Sequence, residues 1–333
     1  MSETTLLAPH DARRPERPDA GEGAPFELID NAFWAQAQPR LSVLTPFYRD
    51  DPRPLLEALD REAAGLKGAV ELVLLDDAGG DALLSAQVRG AVQQLAAPAR
   101  LIRLTRNEGR AKGRNRLLAY SRARHALFLD SDMLPDHPGF LAAYLGLISA
   151  EDPAVVFGGF SVDQAPARPE HALHRALSQR GECLGAEIRA EQPEKYVYTS
   201  NLLVRRDVFD VAAFDEAFSG WGWEDVEWGL RVGRSFGVRH IDNPATHLGL
   251  DTAAALAAKY EQSPGNFARV VARHPEALSA YPSYRLARAL KRLPARPVWR
   301  RGLKALALAE GAPLKARVAA MKIYRAALYA EVV

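Results

Sequence analysis

The chain has 333 residues, 48% of them hydrophobic and 25% charged, with a formal net charge of +2 at pH 7. This composition is ordinary for a soluble globular protein, and its length allows one large catalytic domain with appendages, or two domains. The net charge is too small to create an overall positive potential that would attract nucleic acid. The single cysteine, Cys183, excludes a disulfide framework.

Residues 1–38 are rich in Pro, Gly, Ala and charge, and this composition predicts a mobile N-terminal tail. Arg13, Arg14 and Arg17 interrupt the segment too early for the apolar core of a signal peptide. Elsewhere, no apolar stretch approaches the roughly 20 residues of a membrane span. We therefore expect a cytoplasmic protein, or one that is peripheral to a membrane.

From Leu41 onward, short apolar runs alternate with amphipathic segments. The apolar runs predict strands at residues 41–46, 70–75, 99–104, 125–129 and 155–157. The amphipathic segments predict helices at residues 54–66, 81–95 and 109–121. Because strands that alternate with helices at this spacing form right-handed βαβ units, the pattern predicts an α/β fold with a mostly parallel sheet.

Acidic residues follow two of these strands. Asp76-Asp77 ends the second strand, and Asp130-Ser-Asp132 ends the fourth. Parallel sheets bind ligands outside the carboxyl ends of their strands, and two carboxylates there can hold a divalent cation such as Mg²⁺ or Mn²⁺. An Asp-x-Asp tripeptide alone is a weak signal, and ordinary surface acids fit it equally well.

A third acidic station reads Trp221-Gly-Trp223-Glu224-Asp225 and opens a predicted helix. A helix N-terminus favours an ionised carboxylate, so Asp225 can accept a proton at neutral pH. Adjacent helical residues point about 100° apart, so Glu224 and Asp225 cannot do the same job. The tryptophans offer flat apolar faces that suit sugar rings. Taken alone, the segment also fits two core tryptophans and a helix-capping acid.

The C-terminal part, residues 251–333, is helical in pattern, rich in Ala and Arg, and interrupted by prolines. From Arg285 to Val333 it has twelve Lys or Arg and two acids, a net charge of +10, which leaves −8 for the rest. Such a segment can lie on an anionic lipid surface or grip an acidic polymer. It can equally be a solvated helical appendage packed on the catalytic domain.

Together, the motifs resemble those of a family 2 glycosyltransferase with the GT-A fold, a Rossmann-like and mostly parallel sheet flanked by helices. The resemblance covers roughly residues 40–250 and implies a GT-A domain at 39–250 followed by a basic helical extension at 251–333. The Trp-Gly-x-Glu-Asp segment is also similar to the C-terminal region of β-1,4-galactosyltransferases and polypeptide N-acetylgalactosaminyltransferases. The matching segments are residues 41–48, 71–77, Asn107-Glu-Gly109, Arg114-Asn115, 130–132, 199–205 and 214–216.

The resemblance implies a site for a nucleotide-sugar, of the UDP type. In it, Asp77 would contact the base, and Asp130 the ribose or the donor sugar. Asp132 would ligate a divalent cation, Mn²⁺ or Mg²⁺, and His247 falls where many relatives place a second metal ligand, although a lone histidine is usually structural. The residues assigned to the nucleotide-sugar are Pro46, Tyr48, Asp77, Asn107, Arg114 and Asp130.

The resemblance also implies the chemistry. Asp225 would be the general base of an inverting transfer, and Glu224 and Trp221 would help to hold the donor and acceptor sugars. Trp223 would lie beside the site of the acceptor sugar, and its bulky ring would narrow that site. The implied partners are a nucleotide-sugar donor and a glycan or lipid-linked acceptor, with peripheral membrane contact through the basic extension and no nucleic acid.

Other classes remain as alternatives. A nucleotidyltransferase that makes the activated sugar would carry a Gly-rich phosphate loop near its first strand, whereas this strand ends in Thr45-Pro-Phe-Tyr48. A non-catalytic carbohydrate-binding protein of the same fold would not need all three acidic stations. A dinucleotide-binding oxidoreductase is disfavoured, because no Gly-x-Gly-x-x-Gly follows the first strand. Arg110 and Lys112 make the Asn-x-Gly helix unusually basic, either to contact phosphate or as a solvated face.

Overall fold

A computed structural model describes residues 24–333 of the protein. Short 3-10 turns occur at Ala64–Leu66, Pro169–His171 and Pro193–Tyr196. The strands are β1 (Phe26–Asp30), β2 (Leu41–Phe47), β3 (Val70–Asp76), β4 (Ala99–Leu104), β5 (His125–Phe128), β6 (Met133–Pro135), β7 (Val155–Phe157), β8 (Phe160–Ser161), β9 (Leu202–Arg205), β10 (Arg239–His240) and β11 (Ala245–His247). The helices are α1 (Arg53–Ala63), α2 (Ala82–Gln94), α3 (Arg110–Ala119), α4 (Phe140–Glu151), α5 (Ala172–Gly181), α6 (Ala186–Ala190), α7 (Asp207–Val211), α8 (Glu224–Phe236), α9 (Ala253–Gln262), α10 (Pro264–Arg273), α11 (Pro275–Ser279), α12 (Pro282–Lys291), α13 (Arg296–Leu308) and α14 (Leu314–Tyr329).

Eight strands form one sheet in the order β1-β4-β3-β2-β5-β9-β7-β10. Its centre, β4-β3-β2-β5, is parallel, whereas β1 and β9 run antiparallel to their neighbours. A small second sheet has the order β6-β11-β8. The strand order reverses between β3 and β5, which flank β2 on opposite sides. Such a switch point opens a crevice at the carboxyl ends of the strands, where α/β proteins bind ligands.

The central strands form because their sequences are apolar on both faces. All seven residues of β3 are buried, as expected for a parallel strand covered on both sides by helices. Helix α1 packs Leu55, Leu56 and Leu59 into one of the two cores that flank the sheet. Asp81 caps the N-terminus of helix α2, because its carboxylate accepts hydrogen bonds from the Leu83 and Leu84 amides. The predicted α/β fold is confirmed.

The predicted N-terminal tail is wrong for residues 24–38, while residues 1–23 lie outside the described part of the chain. Strand β1 pairs along its whole length with β4. Trp34 is only 5% exposed, and the guanidinium groups of Arg100 and Arg122 lie 4.3 and 3.8 Å from its ring. Local composition did not predict this order, because the partners of β1 lie about 75 residues further along the chain.

The C-terminal helices pack on the rest of the chain. Helices α9–α14 form a third core that also includes Phe218, Leu230 and Leu173 from the preceding region. Helix α14 buries nine of its residues, among them Met321, and contacts α5, α9, α10, α12 and α13. Of the helices between residues 24 and 333, none combines the length and apolar character needed to cross a membrane.

Candidate functional site

A cavity of about 290 Å³, here called the sheet-edge cavity, opens where the carboxyl ends of β2, β3 and β5 meet. Segments after these strands line one side, and α3, the start of α8 and the end of β11 line the others. The structure thus brings together residues from all three acidic stations of the sequence. The predicted site residues that line this cavity are Pro46, Tyr48, Asp77, Arg114, Asp130, Asp132, Trp221, Asp225 and His247.

The sheet-edge cavity is strongly acidic. Seven carboxyl-bearing side chains line it, against three arginine or lysine side chains. Like charges held together in a partly desolvated space repel one another, so the cavity favours a bound cation. The seven acids are Asp50, Asp77, Asp130, Asp132, Glu182, Asp225 and Asp251, and the three cations are Arg110, Arg114 and Lys259.

Asp132 and His247 form a close pair within this cavity. The Asp132 Oδ2 atom lies 3.0 Å from Nε2 of His247, and β11 places the histidine by pairing it with Met133 of β6. Burial alone would lower the pKa of His247, but the Asp132 carboxylate outweighs it and holds that pKa above its usual value. At Gly249 a Cβ atom would lie 2.1 Å from Asp132 Oδ2, so a larger residue there would displace the Asp132 carboxylate from this pair.

The Asp132–His247 pair fits a divalent cation that is shared with a ligand. Among residues 24–333, no three or more His, Cys, Asp or Glu side chains are preassembled as a metal centre. Mg²⁺ and Mn²⁺ sites often use only one or two protein ligands and complete their coordination with substrate phosphates and water. Within residues 24–333, the Nδ1 atom of His247 is buried without a hydrogen-bond partner, while the ring packs against Phe160 and His174 with 5.3 and 5.7 Å between ring centroids.

Asp77 and Asn107 stabilise the loop between β4 and α3. The Asp77 carboxylate accepts hydrogen bonds from the Asn107 side chain at 2.8 Å and from the Glu108 and Gly109 amides at 2.7 and 3.0 Å. These bonds fix the loop that leads into α3. Asn107 therefore contacts Asp77 and is not among the residues that line the cavity, unlike the other five predicted nucleotide-sugar residues.

Two arginines of α3 bridge the second and third acidic stations. Arg114, which is 1% exposed, donates to Asp130 Oδ1 at 2.8 Å. The Arg110 Nε atom lies 2.9 Å from Glu224 Oε1, and its Nη2 atom lies 3.6 Å from Asp130. Arg110 thus belongs to the site, whereas Lys112 lies 3.8 Å from Glu108. A buried Arg needs such anionic partners, because an unpaired buried charge is costly.

Asp225 lies in the first turn of α8, as predicted. Its Oδ2 atom accepts hydrogen bonds from the amide and the hydroxyl of Thr199, each at 3.1 Å, and its Oδ1 atom is buried without a hydrogen-bond partner among residues 24–333. Burial, with a further contribution from Glu224, raises the pKa of Asp225 to about 6. At neutral pH the carboxylate is therefore ionised and has one oxygen free to accept a proton.

The turn before α8 is conformationally demanding. Gly220, Gly222 and Trp223 all have positive φ angles, and that of Trp223 is 77°. A bulky residue adopts this left-handed conformation only where its surroundings enforce it. The Trp223 ring packs against Phe267 with 4.7 Å between ring centroids, and its Nε1 atom donates to the Tyr329 hydroxyl at 3.0 Å. Helices α10 and α14 thus hold the turn that presents Glu224 and Asp225.

A second cavity of about 470 Å³, here called the helical cavity, lies on the other side of this turn. It is formed between α5, the 3-10 turn Pro193–Tyr196, α8 and the C-terminal helices α9, α12 and α14. Trp223 and Glu224 line it. The side chains that line both cavities, and so form the boundary between them, include Arg110, His174, Glu182, Tyr198, Trp221 and Asp225.

Several residues of this region were not predicted as site residues from the sequence. Asp50 follows β2 closely, so the rule that placed Asp77 and Asp130 at strand ends could have found it. Thr199 was noted only as part of a motif, and its bonds to Asp225 depend on the tertiary fold. Glu182 and Lys259 gave no signal, because Glu182 directly follows α5 and Lys259 lies on α9, both far from any strand end.

The profile of "Glycosyl transferase family 2" matches residues 42–212, about half of the chain. The protein belongs to this family. It is accordingly a glycosyltransferase, and the resemblance expected from its strand-end motifs is confirmed. The sheet-edge cavity of this glycosyltransferase is built largely from the matched region, whereas Asp225 and His247 lie beyond it.

Solved structures show the same fold. The Pyrobaculum calidifontis mannosyltransferase PcManGT, solved in complex with GDP-Man and Mn²⁺, has a TM-score of 0.53 and 19% identity, with 91% of this chain and 89% of that chain covered. Residues 1–349 of S. aureus TarS give a TM-score of 0.50 at 14% identity, with 86% and 89% covered. No curated protein matches the sequence. These similarities support the GT-A fold of the glycosyltransferase.

Proposed function

We propose that the protein transfers a sugar from a nucleotide-sugar, with UDP as the expected nucleotide, to a hydroxyl group of an acceptor, and that the transfer depends on a divalent cation and inverts the anomeric carbon. The observation that carries this proposal is the sheet-edge cavity. This cavity lies where the strand order of the sheet reverses. It contains more carboxylates than cations, the Asp132–His247 pair, and the Asp225 carboxylate, whose Oδ1 atom has no hydrogen-bond partner within residues 24–333.

On the donor side, Asp132 and His247 would hold the cation. When bound, a divalent cation neutralises the charge that develops on a departing diphosphate, which contributes several kcal/mol to transition-state stabilisation. Tyr48 and Pro46 border the cavity where a nucleotide would enter. Arg114 holds Asp130 in place through its 2.8 Å hydrogen bond, so that Asp130 can accept hydrogen bonds from a ribose or sugar hydroxyl.

Asp225 would act as the general base. As the acceptor hydroxyl oxygen forms its bond to the anomeric carbon, the bond from that carbon to the diphosphate breaks and its electron pair leaves with the nucleoside diphosphate. The acceptor proton passes to the free Oδ1 atom of Asp225. Because attack and departure occur on opposite faces, the configuration inverts. Glu224 stays paired with Arg110 at 2.9 Å, which supports a role in holding a sugar rather than in removing the proton.

A nucleotide-release assay tests this proposal directly. Purified protein would be incubated with a panel of UDP- and GDP-sugars, with Mn²⁺, with Mg²⁺ or with a chelator. We expect release of one nucleoside diphosphate above background only with metal present, and recovery when metal is added back after chelation. Full activity in chelator would contradict the metal role of Asp132 and His247, and no release from any donor would contradict the proposed function.

The identity of the sugars stays a prediction. The segment of residues 221–225 resembles galactosyltransferases and N-acetylgalactosaminyltransferases. This resemblance favours a UDP-linked hexose or N-acetylhexosamine as donor. Trp221 lines both cavities and Trp223 lines the helical cavity, which supports the prediction that they contact the acceptor. A glycan or a lipid-linked sugar remains the expected acceptor class.

Peripheral membrane contact is a further part of the proposal, together with the expected cytoplasmic location. The region from Leu293 to Leu314 exposes four large apolar side chains next to arginines and lysines of α13. Exposed apolar residues among basic ones are the combination that binds anionic lipid surfaces. The exposed apolar residues are Leu293, Val298, Leu306 and Leu314.

A further inference from the structure

The helical cavity differs in charge from the sheet-edge cavity. Five arginine or lysine side chains line it, against three carboxyl-bearing side chains. One of the five, Arg110, is already paired with Glu224. The other four cations converge on this cavity from three separate segments, which are α5, the 3-10 turn Pro193–Tyr196 and α14. They are Arg180, Lys195, Lys322 and Arg325.

Within residues 24–333, none of these four cations lies within 4.0 Å of an Asp or Glu oxygen, whereas Arg110 of the same cavity is paired with Asp130 and Glu224. Of the other two acids of the cavity, Glu182 makes no ion pair in the same range of residues, and Asp225 accepts hydrogen bonds from Thr199. Cations outnumber carboxylates in this concave space, so the cavity attracts an anion, because the mutual repulsion of the cations is relieved when one binds.

The cavity also has aromatic walls suited to a sugar. The Lys195 Nζ atom lies 4.9 Å from the Tyr196 ring and 5.9 Å from the Tyr281 ring. The guanidinium of Arg325 lies 5.1 Å from the ring of Tyr260. In the described part of the chain, the Tyr281 hydroxyl is buried without a hydrogen-bond partner. A buried polar group of this kind is costly unless a ligand satisfies it. The walls thus combine stacking faces, cations and an unsatisfied hydroxyl group.

We propose that the helical cavity binds an acceptor sugar that carries an anionic group, a phosphate or a carboxylate. Its reactive hydroxyl would lie at Asp225, which borders both cavities. Its oxyanion would lie among Arg180, Lys195, Lys322 and Arg325. This inference rests on the proposed function, because it takes the sheet-edge cavity as the donor side and the helical cavity as the acceptor side.

A binding experiment without donor or metal tests the inference independently of catalysis. The full chain would be titrated with glucose 6-phosphate, glucuronic acid and glucose, and tryptophan fluorescence and calorimetry would report binding. We expect at least one of the two anionic probes to bind and glucose to bind about tenfold more weakly or not at all. Binding should weaken as salt rises, because salt screens exposed charges. The two anionic probes distinguish a phosphate acceptor from a carboxylate acceptor.

The variant pair is chosen so that folding is preserved. Arg180 and Lys322 are both exposed, and the double variant R180Q/K322Q removes two charges from the cavity rim. We expect it to weaken binding of the anionic probe about tenfold, which corresponds to about 1.4 kcal/mol. The control R288Q/R301Q removes two exposed charges of the C-terminal helices that lie outside the cavity and make no ion pair within residues 24–333, and it should bind as the wild type does.

The outcomes separate this inference from the proposed function. Equal binding of glucose and both anions, absence of anion binding, or an equal loss in both double variants would overturn the anionic acceptor. The proposed function would instead fail in the nucleotide-release assay, with no release from any donor. Normal release onto a neutral acceptor, unchanged in R180Q/K322Q, would reject this inference and leave the proposed function intact.

Discussion

The carboxyl group of Asp225 experiences opposing influences on its pKa. Burial and the neighbouring Glu224 raise the pKa, while Arg114, Arg110 and the hydrogen bond from the Thr199 amide lower it. The net result is a pKa of about 6, close to the operating pH at which a general base works best. From the sequence we expected the helix N-terminus to keep this group ionised. The structure adds that burial makes it a stronger base than an ordinary aspartate.

Replacing Asp225 with Asn keeps the shape of the side chain and removes its ability to take a proton. We expect kcat to fall by about 10²–10⁴-fold, the usual contribution of a general base, with little change in nucleotide affinity. Single-turnover kinetics and nucleotide titration would measure the two effects. The control is D210N, since Asp210 is exposed on α7. Turnover equal to the wild type in D225N would reject the base assignment.

The raised pKa of Asp225 also predicts a pH dependence. A base acts in its ionised form, and a pKa of about 6 means that this form is lost as the pH falls through 6. We expect kcat to be nearly constant above pH 7 and to fall about tenfold for each pH unit below about 5.5. A pH–rate profile at saturating donor would measure this limb. A profile that stays flat down to pH 5 would contradict it.

At the scale of elements, α14 and the turn that precedes α8 depend on each other. The Tyr329 hydroxyl accepts the Trp223 Nε1 hydrogen bond and lies 3.0 Å from the Ser263 hydroxyl, while its ring stacks on Phe267 at 4.2 Å. These contacts hold Trp223 in its left-handed conformation. The position of Asp225 two residues later therefore depends on a helix at the far end of the chain.

The variant Y329F would remove the hydroxyl and keep the stacked ring. We expect a loss of about 1 kcal/mol for the hydrogen bonds, a lower Tm in thermal unfolding and a lower kcat, because the turn before α8 loosens. The matched control is Y284F, since the Tyr284 hydroxyl makes no hydrogen bond within the described residues. Identical stability and activity of both variants would show that the hydroxyl does not hold the turn.

Elements governed by local pattern were predictable from the sequence. The strands β4 and β7 match their predicted bounds, and α1 was predicted at 54–66 against the observed Arg53–Ala63. The rule on strand ends also anticipated that Asp77 and Asp130 meet at one edge. The bridge from Arg110 to Glu224 and the bond from Trp223 to Tyr329 could not be predicted, because each depends on how distant segments pack.

At the scale of the whole molecule, charge is divided between regions. The sheet-edge cavity is acidic and the helical cavity is basic, and the last 49 residues carry +10 against −8 elsewhere. A net charge of +2 conceals this division. A metal ion, an anionic acceptor and an anionic surface would each find a separate region of matching charge.

The proposed membrane contact predicts a selective loss of vesicle binding. We expect the wild type to co-sediment with phosphatidylserine-containing vesicles at low salt and not with neutral phosphatidylcholine vesicles. The variant V298D would reduce binding, since Val298 is 70% exposed on α13. The control V211D alters a valine that is 69% exposed on α7. Absence of wild-type binding to anionic vesicles, or equal effects of both variants, would argue against the contact.

The bond between Trp223 and Tyr329 spans 106 residues of chain, and this separation sets an order of events during synthesis. At about 5–20 residues per second, the ribosome adds the second residue about 5–20 s after the first. Late in that interval the nascent chain contains strands β1–β11 and helix α8, but it still lacks the complete helix α14, which holds the turn in front of Asp225. The capacity to bind a cation would therefore arise before the capacity to position an acceptor, so an incomplete chain would not yet transfer sugar efficiently.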